Sequence, residues 1–187
     1  SIDADRARKE KEIRTLWIKF IVSACFGLPL LYIAMAPMIP WLPLPVPSFL
    51  DMTEYPLRYA AAQIILVIPI IAAGYRFYTV GFKALFAASP NMDSLIAVGT
   101  SAAVLYSLFS TYRIAAGEHH AVHDLYFESA GVIIALILLG KFLEAVSKGK
   151  TSEAIKKLMG LAPKTATVIV DGREVEMPID EVEKGDI

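Results

Sequence analysis

Between Ser129 and Gly140 the chain carries no charged side chain and runs almost entirely in Ile, Leu, Val, Ala and Gly. With its flanks, Leu125 to Glu144, this stretch is about 20 residues long. At about 1.5 Å of rise per residue it can cross a hydrocarbon core of roughly 30 Å. It nevertheless holds a carboxylate near each end, Glu128 and Glu144. An acid at the edge of a span must face water, a partner or a transported ion. The run continues without a break into Lys148, Gly149 and Lys150, and a polar tail follows. This reads as a membrane helix coupled to an aqueous module.

Three more apolar runs precede it. The first spans Leu16 to about Met35, entered from a charged lead-in (residues 1–14) that continues it as one helix, with Ser1 or Asp3 as cap. Lys19 lies one turn inside and can snorkel to the interface, and Pro29 is tolerated better in a membrane helix than in a soluble one. A proline-rich loop over residues 37–56 places Trp41 and Tyr55 as interfacial aromatics. The second run covers Tyr59 to about Tyr75. Past Gly74, aromatics and aliphatics recur beside Arg76 and Lys83, which predicts a kink and an amphipathic helix along the membrane surface over residues 75–88. Pro90 ends that helix, Asn91 or Asp93 starts the next, and the third run extends from Met92 to about Tyr112.

After the fourth span, Thr151 to Met159 reads as an amphipathic helical extension stopped by Gly160 and Pro163. The period then falls to about two: Thr165–Val170, a turn at Asp171-Gly172, then Glu174–Met177, a hairpin signature. The expected fold is mainly α, a polytopic bundle of four transmembrane helices followed by the beginning of a small β-rich cytosolic domain. In domain terms this gives a cytosolic lead-in (1–14), the membrane part (15–147) and a linker helix with an incomplete β module (148–187).

The distribution of charge orients the bundle. Arg6, Arg8, Lys9, Lys11 and Arg14 precede the first span, Arg76 and Lys83 fall between the second and third, and Lys141, Lys148 and Lys150 close the fourth. The opposite side has only Arg58 and Arg113. The positive-inside rule puts both termini in the cytosol of a multi-pass plasma-membrane protein. The 56% hydrophobic composition agrees, and a net charge of −1 gives no reason to expect nucleic acid as a partner. One cysteine, Cys25, excludes an intrachain disulfide and any CxxC motif. It reads as membrane packing. The histidines His119, His120 and His123, with Glu118 and Asp124, are donors suited to Cu(II) or Zn(II). They also fit a solvated loop, with no fourth ligand in view.

Several phrases in order carry a family resemblance. They are Ser89-Pro-Asn-Met-Asp-Ser-Leu-Ile-Ala-Val-Gly-Thr100, Tyr126-Phe-Glu128, Leu138-Leu-Gly-Lys-Phe-Leu-Glu144, Ser152-Glu-Ala-Ile-Lys-Lys-Leu-Met-Gly-Leu161, Pro163-Lys-Thr-Ala166 and Val182-Glu-Lys-Gly-Asp-Ile187. Together they resemble the heavy-metal-transporting P-type ATPases, most closely the Cu(I) exporters. The resemblance implies that the first two spans are the extra helices of this class, that the next two belong to the transport core, and that an actuator domain begins after about residue 150. It implies Met92 and Glu144 as cytosolic metal ligands that take the ion up, and Glu128 as the exit-pathway carboxylate. Gly74, Arg76 and Lys83 would form the docking platform for a copper chaperone or for the protein's own metal-binding domain. Where the family has a Gly-Gly pair at that bend, this chain has Ala73-Gly74.

The chemistry is consistent with that assignment. A thioether is a soft ligand suited to Cu(I) or Ag(I), and a carboxylate holds such an ion without trapping it. Simpler roles compete: a helical ion pair with Lys141 or Lys148 for Glu144, packing for Met92, external water for Glu128, and an aromatic belt for Tyr126 and Phe127. The chain contains no Cys-Pro-Cys, no Asp-Lys-Thr-Gly and no Thr-Gly-Glu. The expectation is therefore a fragment of an ATP-driven Cu(I)/Ag(I) translocase whose ATP and Mg2+ are bound beyond Ile187. The fragment would hold no catalytic residues of its own, and Thr151–Leu161 would transmit actuator motion. The rivals are a Zn(II) exporter of the same superfamily and a non-catalytic four-helix membrane scaffold.

Overall fold

The computed structural model describes residues 2–161 and 164–185. Among the described residues five α-helices are followed by one hairpin: α1 (Ile2–Met35), α2 (Pro56–Ala73), α3 (Tyr75–Phe86), α4 (Met92–Ala115), α5 (Phe127–Gly160), β1 (Thr165–Val170) and β2 (Arg173–Pro178). Among the described residues four helices, α1, α2, α4 and α5, are long and apolar enough to cross a membrane. The expected fold class holds: mainly helical, with a two-stranded antiparallel sheet near the C-terminus. The chain divides into two compact units at Ala145/Val146.

In the first unit, α1 starts at Ile2, so Asp3 falls inside the helix rather than capping it, and Ser1 lies outside the described residues. Pro29 stands within α1. The helix stops where the next proline removes a donor. Pro37 has no N–H for the Ile33 carbonyl, and the Tyr59 hydroxyl of α2 donates to that oxygen at 3.2 Å. The Tyr32 hydroxyl donates to the Pro45 carbonyl at 2.8 Å and holds the proline-rich loop against α1. Trp41 in that loop is exposed at 82%.

The core lies where α1, α2 and α5 meet, with Leu30, Ile70 and Ile134 fully buried. Gly131 permits that meeting: a Cβ there would sit 3.1 Å from both the Ile70 and the Leu30 methyls. Phe127 is also fully buried, which corrects its reading as a belt aromatic; Tyr126 stays exposed at 44%. The bend between α2 and α3 forms on a single glycine. Gly74 donates to the Ile70 carbonyl at 3.1 Å to finish α2, and its own carbonyl accepts from Phe77 at 3.0 Å to begin α3. Its φ of −95° is open to any residue, so glycine is required here by space. A Cβ would stand 2.8 Å from the Ile134 side chain.

In the second unit the hairpin pairs Val168 with Val175 and Thr165 with Pro178. Asp171 (φ 52°) and Gly172 (φ 77°) both take the left-handed backbone that a two-residue type I′ turn demands. The expected helix stop at Pro163 lies outside the described residues, and α5 ends at Gly160.

Candidate functional site

At the cytosolic end predicted from charge, α4 begins with a reciprocal cap. The Asn91 side chain accepts from the Ser94 amide at 3.0 Å, and the Ser94 hydroxyl accepts from the Asn91 amide at 3.2 Å. The same hydroxyl donates to the Gly81 carbonyl of α3 at 2.7 Å. Gly81 is what lets the two backbones approach, because a Cβ there would collide with the Asp93 carbonyl. Asp93 in turn faces Lys141 of α5 at 3.6 Å, and that ammonium also lies 5.7 Å above the Phe77 ring. These contacts fix the first turn of α4 beside α3 and α5.

Met92 is the first residue of α4 and is 73% exposed. Glu144 lies one turn beyond Lys141 on α5 and is exposed as well. Met92, next to Asp93, and Glu144, one turn beyond Lys141, thus flank the Asp93–Lys141 pair in the first unit. Arg76 and Lys83 are exposed on α3, whose opposite face buries Phe77 and Gly81. Tyr78 ties α3 to α4 through a 2.7 Å hydrogen bond with the Thr100 hydroxyl, and burial pushes its phenol above the usual tyrosine range. Lys19 reaches the Tyr75 ring at 5.0 Å, the expected snorkelling toward this layer.

Glu128 lies in the first turn of α5, at the other end, about 24 Å along the helix from Glu144. It is half-buried and lines a cavity of about 110 Å³ between the end of α1, the start of α2 and the loop before α5. Tyr59, Gln63 and His123 share that cavity, as do Met35, Met38 and Met52. The start of α5 is anchored to α4: the Tyr126 amide donates to the Ser107 hydroxyl at 2.7 Å, and Ser107 donates to the Ala103 carbonyl at 2.6 Å.

The histidine loop forms a short 3-10 helix, His119–Asp124. Its two carboxylates are engaged by Arg113, which lies 2.8 Å from Glu118 and 3.4 Å from Asp124. Among the described residues no group of three or more His, Cys, Asp or Glu side chains is arranged to hold a metal. Cys25 is exposed on α1. The sequence reading passed over the three methionines of the cavity because they fall at loop boundaries, far apart in number, where thioethers read as packing. Their one signal was position: all lie at the ends of spans on Glu128's side.

No family model matches the chain. Among curated proteins it is 40% identical over 186 residues to a copper-exporting P-type ATPase of Bacillus subtilis, covering 99% of this chain and 22% of that protein. It is 41% identical over 180 residues to a probable copper-importing P-type ATPase A of Enterococcus hirae, covering 96% of this chain and 23% of that protein. A copper-transporting ATPase of Helicobacter felis is 44% identical over 144 residues, which is 77% of this chain and 19% of that protein. The chain is homologous to copper-transporting P-type ATPases. It is a multi-pass membrane protein that spans about a fifth of the length of the copper ATPases it matches.

Proposed function

We propose that this chain is the ion-uptake and ion-release part of an ATP-driven Cu(I)/Ag(I) exporter. The observation that carries the reading is the 40% identity maintained over 186 residues to a copper-exporting ATPase, a span that includes Met92, Glu128 and Glu144. In this reading Met92 and Glu144 receive the ion at the cytosolic end, a soft thioether selecting it and a carboxylate releasing it onward. Glu128 accepts it at the outer end. Gly74, Arg76 and Lys83 present a basic platform on which a copper chaperone or the protein's own metal-binding domain delivers its cargo. Residues 151–161 link the bundle to an actuator domain that begins with the β1–β2 hairpin. ATP and Mg2+ are handled by the remainder of the complete protein, as an aspartyl-phosphate cycle requires.

Three features support the assignment of roles. The two acids lie 16 residues apart on α5, Glu128 in its first turn and Glu144 near its middle, about 24 Å along the helix, so no single ion can be shared between them. Met92 sits on a helix start made rigid by the Asn91–Ser94 cap and the Lys141–Asp93 pair. Large exposed apolar side chains on α4, among them Leu95, Leu105 and Phe109, leave that helix a face for further spans or for lipid.

In the complete ATPase, Met92→Ala or Glu144→Ala lowers copper-stimulated ATP hydrolysis about tenfold or more while expression is kept. Unchanged activation in both variants rejects the uptake assignment. Stimulation by Zn(II) in place of Cu(I) rejects the soft-metal assignment.

A further inference from the structure

Where the apolar run of α1 begins, the Trp17 ring lies 4.9 Å from the Phe142 ring of α5. Beside this pair opens a cleft of about 390 Å³, walled by Ile13, Trp17 and Phe142 and rimmed by Glu10 and Arg14. That volume falls within the roughly 300–1,000 Å³ of sites that take small molecules, and far exceeds the roughly 30 Å³ share of one water. Glu10, Ile13, Arg14 and Trp17 follow at i, i+3, i+4 and i+7, so one face of α1 supplies all four. The cleft is therefore polarised along the helix. Charge stands at Glu10 and Arg14, before Leu16 opens the apolar run, and ring surface stands at Trp17, just inside it. Trp17 is 44% exposed, an indole left bare at the depth where amphipathic rings meet lipid headgroups. The rim is also unbalanced in charge. Glu10 is engaged by Arg6 at 3.4 Å, whereas Arg14 makes no ion pair among the described residues.

From this arrangement we infer that the α1–α5 cleft binds an anionic phospholipid, its phosphate against the Arg14 guanidinium and an acyl chain along Ile13, Trp17 and Phe142. Charge complementarity and the order of the walls select that occupant. A guanidinium forms charge-assisted hydrogen bonds with phosphate oxygens, and basic residues next to a span attract anionic headgroups. Ring and aliphatic surface follow one turn deeper, as hydrocarbon follows headgroup in a lipid. A soluble anion would leave that apolar wall bare. A zwitterionic lipid brings an ammonium along with its phosphate and gains less from Arg14. None of Met92, Glu144 and Glu128 lines the cleft, so its occupancy is independent of the metal route.

The test uses the complete ATPase reconstituted in vesicles that carry phosphatidylglycerol or phosphatidylcholine with brominated acyl chains, at equal mole fraction in an unbrominated phosphatidylcholine background. Bromine quenches indole fluorescence at contact, and the Trp17 signal is isolated as the difference between each protein and the same protein carrying Trp17→Phe. Brominated phosphatidylglycerol should associate with the cleft about fivefold more strongly than brominated phosphatidylcholine, the worth of one basic residue close to an anionic headgroup. Arg14→Gln should bring that ratio to about one, and Arg14→Lys should keep most of it. Phe142→Ala should weaken quenching by both lipids, because it removes one apolar wall. Arg58→Gln, outside the cleft, should leave the ratio unchanged. Circular dichroism verifies that each variant keeps its helices. Equal quenching by the two lipids, or a preference that survives Arg14→Gln, overturns the anionic-lipid site. Absence of Trp17 quenching by either lipid overturns it as well, since another segment of the complete protein then fills the cleft. Each of these failures leaves the metal route to its own assay, copper-stimulated ATP hydrolysis.

Discussion

Replacing Gly81 with alanine tests whether the α3–α4 contact is as close as the structure has it. In an ordinary helix interior, Gly→Ala gains about 0.5–1 kcal/mol because glycine loses the most backbone freedom on folding. At Gly81 the sign reverses. The new Cβ would stand 2.6 Å from the Asp93 carbonyl carbon and 2.9 Å from the Ser94 nitrogen, where carbon contacts settle at about 3.5–4.0 Å. Those neighbours are backbone and cannot rotate aside, so α3 must back away by about 1 Å. Overpacking of this kind costs about 1–3 kcal/mol. The retreat also stretches the 2.7 Å bond from the Ser94 hydroxyl to the Gly81 carbonyl, worth about 1 kcal/mol. Gly81→Ala should therefore destabilise the chain by a net of about 1–3 kcal/mol. Gly99→Ala and Gly140→Ala have no neighbour within 4 Å of the new atom and should gain a few tenths or more. Equilibrium unfolding by SDS in mixed micelles measures all three. If Gly81→Ala is as stable as Gly99→Ala, the close approach of α3 to α4, and the rigid start of α4 built on it, are wrong.

Other perturbations probe separate parts of the molecule. Ser107→Ala removes the acceptor of the Tyr126 amide and should cost about 1–3 kcal/mol in the same unfolding assay, with Ser107→Thr recovering part of it. Gly172→Val forces a β-branched side chain to a φ of 77° and should cost about 1–2 kcal/mol, seen as faster amide exchange across β1 and β2 with α1–α4 unaffected. Asp51 accepts from the Thr53 hydroxyl and from the Thr53 and Glu54 amides, and these bonds hold its carboxyl below the usual range. A lowered folded pKa stabilises the residue 48–55 turn above the ordinary carboxylate pKa, and that support is lost as pH falls through Asp51's own value. The protection of the Thr53 and Glu54 amides, relative to their intrinsic exchange at each pH, should therefore fall at acid pH, and Asp51→Asn should remove that change in protection.

Much of this molecule was legible in the order of its residues, because lipid leaves few options. Uncharged runs long enough to span had to be helices, and of the two starts offered after Pro90, Asn91 and Asp93, α4 uses Asn91 as its cap. Asp171-Gly172 announced its turn because it joins two residues that tolerate the left-handed backbone. What could not be read is contact across the bundle. Phe127 sits beside Tyr126 in a phrase typical of an interfacial belt, yet its position on α5 turns it fully inward. Lys141 was weighed only against Glu144 on its own helix, whereas Asp93 approaches it from α4. The methionine cavity was hidden for the same reason. Met35 and Met52 are 17 positions apart and line one cavity because the proline-rich loop between them, bonded to Tyr32, folds back.

The proposed roles of Met92, Glu144 and Glu128 together require directional passage of a soft monovalent ion from one end of the bundle to the other. ATP-driven uptake of Cu(I) or Ag(I) into membrane vesicles with the cytosolic face outward measures that passage, using the complete ATPase and its Met92→Leu/Glu144→Gln variant. The account predicts ATP-dependent accumulation of Cu(I) and Ag(I) but not Zn(II), reduced about tenfold or more in the variant. Equal accumulation by both proteins, or accumulation of Zn(II) alone, would contradict it.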